Sequence, residues 1–314
     1  MDRLNWLLDS DPALRWQVLR DLTDASPAAA ASERGRVARE GLGAELLARQ
    51  QSDGSWHRSG APAWATTLFT MLLLRASGID PTDSAVQSAV ERSETNLRWN
   101  NNGGGWNLRP PETGGNQFFE GEVEPCINGG VLAIGAYFGH PNDPLARRLL
   151  GEQLEDGGWN CEAPKSARSS FHTTICVLEG LLEYERAVGL AHQLTSQIAI
   201  ARRRAEDYLL QRRLFRRLST GEIANPQFLE LAFPPRYRYD ILRALDYFRD
   251  AHAVPDPRLT DAVRQIEKMR QPGGRWLLDR AYDEVLPCGF GETVGQPSRW
   301  NTLRALRVLQ WQAR

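Results

Sequence analysis

The run Gly43-Ala-Glu-Leu-Leu-Ala-Arg-Gln50 leads directly into Gln51-Ser-Asp-Gly-Ser-Trp56, and this glycine–tryptophan turn returns along the chain. Further copies are Asn102-Gly-Gly-Gly-Trp106, Glu155-Asp-Gly-Gly-Trp159 and Gln271-Pro-Gly-Gly-Arg-Trp276. The tryptophans stand 50, 53 and 117 positions apart, so the last interval holds two periods and one copy has decayed. Its remnant falls near 211–221, where a helical run meets Ser219-Thr-Gly221. A period of this length marks one supersecondary unit repeated and stacked.

Each turn lies between two helical patterns. The segments before it are more charged: Asp143 to Glu152, Arg202 to Arg213 and Arg258 to Arg270. The segments after it are more apolar: Trp64 to Ala76, Cys126 to Phe138, Phe171 to Tyr184, Tyr237 to Phe248 and Arg299 to Trp311. Polar-faced helices suit an outer ring and apolar ones an inner ring. Arg299-Trp-Asn-Thr-Leu-Arg-Ala-Leu306 matches Arg15-Trp-Gln-Val-Leu-Arg-Asp-Leu22, so the N-terminal segment supplies a further inner helix, with Leu4 to Leu8 as its outer partner. Six helix pairs predict an all-α (α/α)6 toroid in a single domain, 1–314, with the first and last inner helices adjacent. The turn itself reads as structural. Its glycines open backbone conformations closed to other residues, its tryptophan covers the turn, and its leading Gln or Glu hydrogen-bonds free groups at the helix end.

Composition narrows the function classes. The chain has 314 residues, 41% hydrophobic and 25% charged, as in an ordinary soluble domain. A formal charge of −1 offers no field for nucleic acid. No run approaches the length of a membrane span, and the opening Met-Asp-Arg-Leu-Asn-Trp lacks a signal-peptide core. Cys126, Cys161, Cys176 and Cys288 are dispersed, which predicts reduced thiols and a cytoplasmic protein.

The Gly43 to Trp56 pattern resembles the Q-W repeat of squalene-hopene cyclases and of the protein prenyltransferase β-subunit, and the repeats extend over nearly the whole chain. The resemblance implies an α/α toroid whose central cavity holds an isoprenoid or a similar hydrophobic small molecule. Two family motifs are missing. No Asp-x-Asp-Asp proton donor occurs, Asp9-Ser-Asp11 being the nearest approach, and there is no Asp-Asp-x-x-Asp diphosphate motif. A sugar-active hydrolase or lyase with paired carboxylates, and a non-catalytic ligand- or protein-binding scaffold, therefore stand as alternatives.

Aligning the inner helices gives candidate site residues. One ring is Gln17, Thr66, Gly129, Thr173, Asp240 and Asn301; the preceding position gives Trp16, Ala65, Asn128, His172, Tyr239 and Trp300. Asp240 is the only acid in the ring and is the candidate proton donor; His172 is the candidate base or ligand. Trp16, Trp64, Asn128, Phe171, Tyr237, Tyr239, Trp300 and Asn301 are the candidate substrate contacts. Capping of helix starts, notably by Ser170 and Ser298, is the competing explanation for the polar members. Cys126, Cys161 and His172 fall on one rim, and two thiolates with an imidazole suit zinc with a fourth position open. Zinc held by Cys and His is also what the resemblance to protein prenyltransferases and lanthionine cyclases implies. Glu120, Glu122 and Glu124 read as a solvated loop, and Asp283 and Glu284 lie in the last long loop.

Overall fold

The computed structural model describes residues 2–100 and 107–313; the turn Asn102 to Trp106 lies outside the described residues. Thirteen α-helices form among them. In order these are α1 (Arg3–Leu8), α2 (Pro12–Leu22), α3 (Pro27–Gly35), α4 (Gly41–Ala48), α5 (Ala63–Ala76), α6 (Ser84–Asn96) and α7 (Pro125–Tyr137). They continue with α8 (Asp143–Gly151), α9 (Phe171–Val188), α10 (Thr195–Gln211), α11 (Ile241–Ala251), α12 (Thr260–Lys268) and α13 (Arg299–Gln312). Strands are two residues long. Arg98–Trp99 pairs antiparallel with Leu108–Arg109 and with Asn116–Gln117, and Trp276–Leu277 pairs antiparallel with Pro297–Ser298. The chain is thus mostly helical, and no described helix is long and apolar enough to cross a membrane.

Helix starts are set by side-chain caps. Asp11, Asp83, Asn142, Asp240 and Ser298 each accept a backbone N–H two or three residues on. Ser170, expected to cap α9, makes no side-chain cap; its own N–H donates to the Trp159 carbonyl instead. The helix expected from Tyr237 begins only at Ile241, because Arg236 adopts φ +51° and Asp240 is the cap. Tyr237 and Tyr239 therefore precede the helix. Two helices, α3 and α6, had no counterpart in the periodicity.

The three described turns share one geometry. The indole N–H of Trp56, Trp159 and Trp276 donates to the carbonyl ten residues earlier, of Leu46, Leu149 and Ile266, at 2.6–2.7 Å. Their backbone N–H groups donate to Thr67, Thr174 and Thr302 at 3.0–3.1 Å, each at the start of the following helix. Each tryptophan is almost completely buried, worth about 1.5–3 kcal/mol apiece from apolar area. The glutamines that tie the turn are Gln50, one position before the anticipated Gln51, and Gln153, two before the anticipated Glu155; their amides donate to the carbonyls of Gly54 and Gly157 and reach α6 at Ala89 and α10 at Ala201. Gly157 has φ +100°, and a β-carbon there would lie 2.5 Å from the Arg204 carbonyl oxygen.

The chain divides into two compact units. The first comprises Met1–Leu42, Leu209–Asp283 and Gly289–Arg314; the second comprises Gly43–Tyr208 and Glu284–Cys288. In the first unit α13 packs against both α2 and α11. The Arg307 guanidinium on α13 pairs with Asp21 and donates to Gln17 at 2.9 Å, both on α2, so α2 and α13 are adjacent as expected. Asp246 on α11 accepts from Arg249 at 3.0 Å and from Arg304 at 3.4 Å. In the second unit α7 packs on α5 and α9.

Candidate metal centre

The second unit builds its reactive cluster from the repeat turn outward. α7 and α9 meet backbone to backbone. A β-carbon at Gly129 would lie 2.4 Å from the Cys176 carbonyl oxygen, and one at Gly180 would lie 2.4 Å from the Gly129 carbonyl oxygen. Only glycine permits that approach. Trp159 is tied to α9 through Thr174, and this fixes the segment that carries Cys161 two residues later. Thr173, next to Thr174, places its hydroxyl 3.4 Å from Cys161 Sγ. Cys126 is the second residue of α7, behind Pro125. The glycine contact and the tryptophan turn together bring the two sulfurs to one place.

The third member of the cluster is Glu124. Its carboxylate, Cys126 Sγ and Cys161 Sγ all lie within 4.8 Å of one another, and Cys126 Sγ donates to Glu124 Oε2 at 3.6 Å. His172 is not a member of this group. Successive helical side chains point about 100° apart, and the face of α9 turned to Cys161 is that of Thr173. Glu124 is aimed by the loop before α7, which the expectation of a solvated loop missed. Glu120 is exposed and Glu124 half-buried, but Glu122 is 2% exposed. The Glu122 carboxylate accepts from the backbone N–H groups of Val123 and Glu124. Asn128 on α7 bonds both backbone groups of Glu122, accepting at 2.7 Å and donating at 3.0 Å. Arg148 on α8 donates to the carbonyls of Glu122 and Val123.

The electrostatics separate the two thiols. The hydrogen bond from Cys126 holds Cys161 below the ordinary thiol range, while that shared proton and burial push Cys126 well above it. Burial pushes Glu122 up to about 8. All four cysteines are free thiols. Two sulfurs and a carboxylate on one side are a donor set that suits zinc, and three protein ligands leave a position open.

Other sequence-derived candidates are distributed over both units. Asp240 is 1% exposed. Its Oδ1 accepts from Arg243 N at 2.8 Å, its Oδ2 from Ala232 N at 3.4 Å, and burial raises its pKa. Asn301 donates to the carbonyls of Leu231 and Leu277. Tyr239 is buried and donates to the Leu214 carbonyl at 2.6 Å. Tyr237 lies under the guanidinium groups of Arg236 and Arg238. Trp300 stacks on Phe233 at 4.3 Å, and Trp16 is covered by Arg20 and Arg34. In the second unit Trp64 contacts Phe69 and Trp99, and Phe171 meets Tyr208 edge-on at 5.6 Å. In the first unit an open cleft of about 610 Å³ is lined by Glu230, Asp279, Arg280, Tyr282, Met269 and Val294 among others. Glu230 pairs with Arg280, and Asp279 accepts from Leu231 N at 2.8 Å.

No known protein family and no curated protein matches this chain. Solved structures do. One is a protein from Actinoplanes, at TM-score 0.46 and 15% identity over 97% of this chain and 91% of that one. Another is an apo variant of the type II terpene cyclase MstE from Scytonema, at TM-score 0.46 and 17% identity over 96% and 86% of the two chains. A second MstE variant, solved with its substrate geranylgeranyl dihydroxybenzoate, aligns at TM-score 0.45 and 16% identity over the same shares.

Proposed function

We propose that this protein is an (α/α)6 enzyme of the terpenoid-cyclase and prenyltransferase type that acts on an isoprenoid or comparable hydrophobic small molecule, with zinc at Glu124, Cys126 and Cys161. The observation that carries the proposal is the convergence of those three donor atoms within 4.8 Å. Bound zinc supplies a Lewis acid with an open position for substrate. The protein's own groups do the rest. Binding the metal would release the Cys126 proton to solvent, so that both sulfurs serve as thiolates beside the Glu124 carboxylate. The Thr173 hydroxyl hydrogen-bonds Cys161 at 3.4 Å and orients it. Asn128 and Arg148 hold the loop that aims Glu124. His172, one residue before Thr173, is the proposed base. Asp240, with both carboxylate oxygens accepting backbone N–H groups, is assigned to the cap. The test is conversion of linear prenyl alcohols and diphosphates, followed by mass spectrometry with and without zinc. Zinc-dependent product is expected; turnover unaffected by chelation would overturn the metal's role, and no conversion of any prenyl compound would overturn the substrate class.

The cleft of the first unit favours a second reading, that of a sugar-active protein. Its carboxylates Glu230 and Asp279 stand beside Tyr282 and apolar Met269 and Val294. Hydrolysis of linear oligosaccharides, abolished in Asp279→Asn, is the result that would select it.

A further inference from the structure

We infer that Cys126 and Cys161 form a redox-modifiable pair, which a low-molecular-weight disulfide oxidises to a protein disulfide that excludes metal from the site. This inference rests on the cluster geometry proposed above for zinc. The two sulfurs lie within 4.8 Å, both residues are only partly buried, and both thiols are free. Closing an S–S bond of about 2 Å needs the sulfurs to approach by less than about 3 Å. Cys126 is fixed in the first turn of α7, but Cys161 begins the run of turns 161–165 outside any helix or strand. The movement therefore falls on a segment without ladder hydrogen bonds. The remaining two cysteines are buried.

The exchange balances without any further reactant. Cys161 gives up its proton to solvent and, as its thiolate, attacks one sulfur of the small disulfide, forming a mixed disulfide and expelling one small thiolate, which takes up that proton. Cys126 then loses its proton to the Glu124 carboxylate, 3.6 Å away, and its sulfur attacks Cys161 Sγ. The second small thiolate leaves and takes up the proton. Two electrons pass from the two protein thiols to the small disulfide, which ends as two thiols. The product keeps Cys126 and Cys161 tied to each other, so neither sulfur remains as a ligand.

The experiment treats the full-length, metal-stripped protein with oxidised glutathione and reads intact mass and denatured thiol count. Wild type should lose two of its four thiols and gain no glutathione mass. Cys126→Ser and Cys161→Ser should each trap a stable glutathione adduct on the cysteine that remains. The double variant Cys176→Ser/Cys288→Ser should behave as wild type does, with circular dichroism confirming its fold. A persistent adduct on wild type, or peptide mapping that joins any other pair, would overturn the inference. Zinc content is measured on a separate reduced sample. A chain that binds no zinc yet forms the disulfide defeats the metal reading alone, and one that binds zinc but forms none defeats this inference alone.

Discussion

The two units hold their packed helices by opposite means. α7 and α9 meet through glycine, with no side chain between the backbones at Gly129 and Gly180. α2, α11 and α13 are joined by arginines that reach Asp21, Asp246 and Gln17 in the interior. Backbone contact fixes spacing closely because no rotamer adapts, and the unit packed this way carries the thiol cluster. Long charged side chains tolerate wider spacing, and in the other unit they are occupied with one another. The contrast suggests that preorganisation has been spent where two sulfurs and a carboxylate must converge.

The sharpest way to break the comparison is to remove the Arg307 guanidinium from its partners on α2. Arg307→Met should cost about 2 kcal/mol, because Asp21 and Gln17 lose its guanidinium while Asp21 keeps Arg20. Denaturant titration of the variant checks this; a variant as stable as wild type would mean the pair is incidental. On the glycine side Gly180→Ala should cost about 2 kcal/mol and spread α7 from α9. Its further signature is weakened metal binding, which Arg307→Met should leave unchanged. Metal affinity untouched in Gly180→Ala would detach the site from the helix contact.

The Asp240 cap gives a smaller and chemically specific effect. Asp240→Ala should lose about 1–2 kcal/mol and Asp240→Asn much less, because Asn caps nearly as well. Melting curves that rank the two the other way would return Asp240 to the list of catalytic candidates. Glu122 predicts a slope rather than a level. Its folded pKa of about 8 lies above the ordinary 4.5, so its stabilising contribution is complete below pH 4.5 and is lost as pH rises through 8. Glu122→Gln should therefore gain on wild type progressively over that window; parallel pH–stability curves would show that Glu122 is solvated after all.

Much of the architecture is readable from residue order alone. Helical periodicity locates α5, α7, α9 and α13 to within a residue or two at their starts, because their apolar faces are buried and uninterrupted. The adjacency of α2 and α13 follows from the match between Arg15–Leu22 and Arg299–Leu306. α11 was displaced because the positive φ of Arg236 leaves no trace in composition. Cys126 and Cys161 were legible as a pair. Glu124 was not, because charge suggests a solvated loop, whereas Asn128 and Arg148 pin that loop from two helices. The spacing Glu124-Pro-Cys126, an acid and a thiol astride a helix-starting proline, is the signal that was present. His172 was chosen for its chemistry, but helix phase turns Thr173 to Cys161.

Metal content of the purified protein tests the account most directly. Elemental analysis of protein prepared without chelators should find about one zinc per chain in wild type, and far less in Cys161→Ser and Glu124→Gln, with His172→Ala showing how much the imidazole contributes. Wild-type protein with no stoichiometric metal and fully titratable Cys126 and Cys161, or variants that retain zinc undiminished, would contradict it.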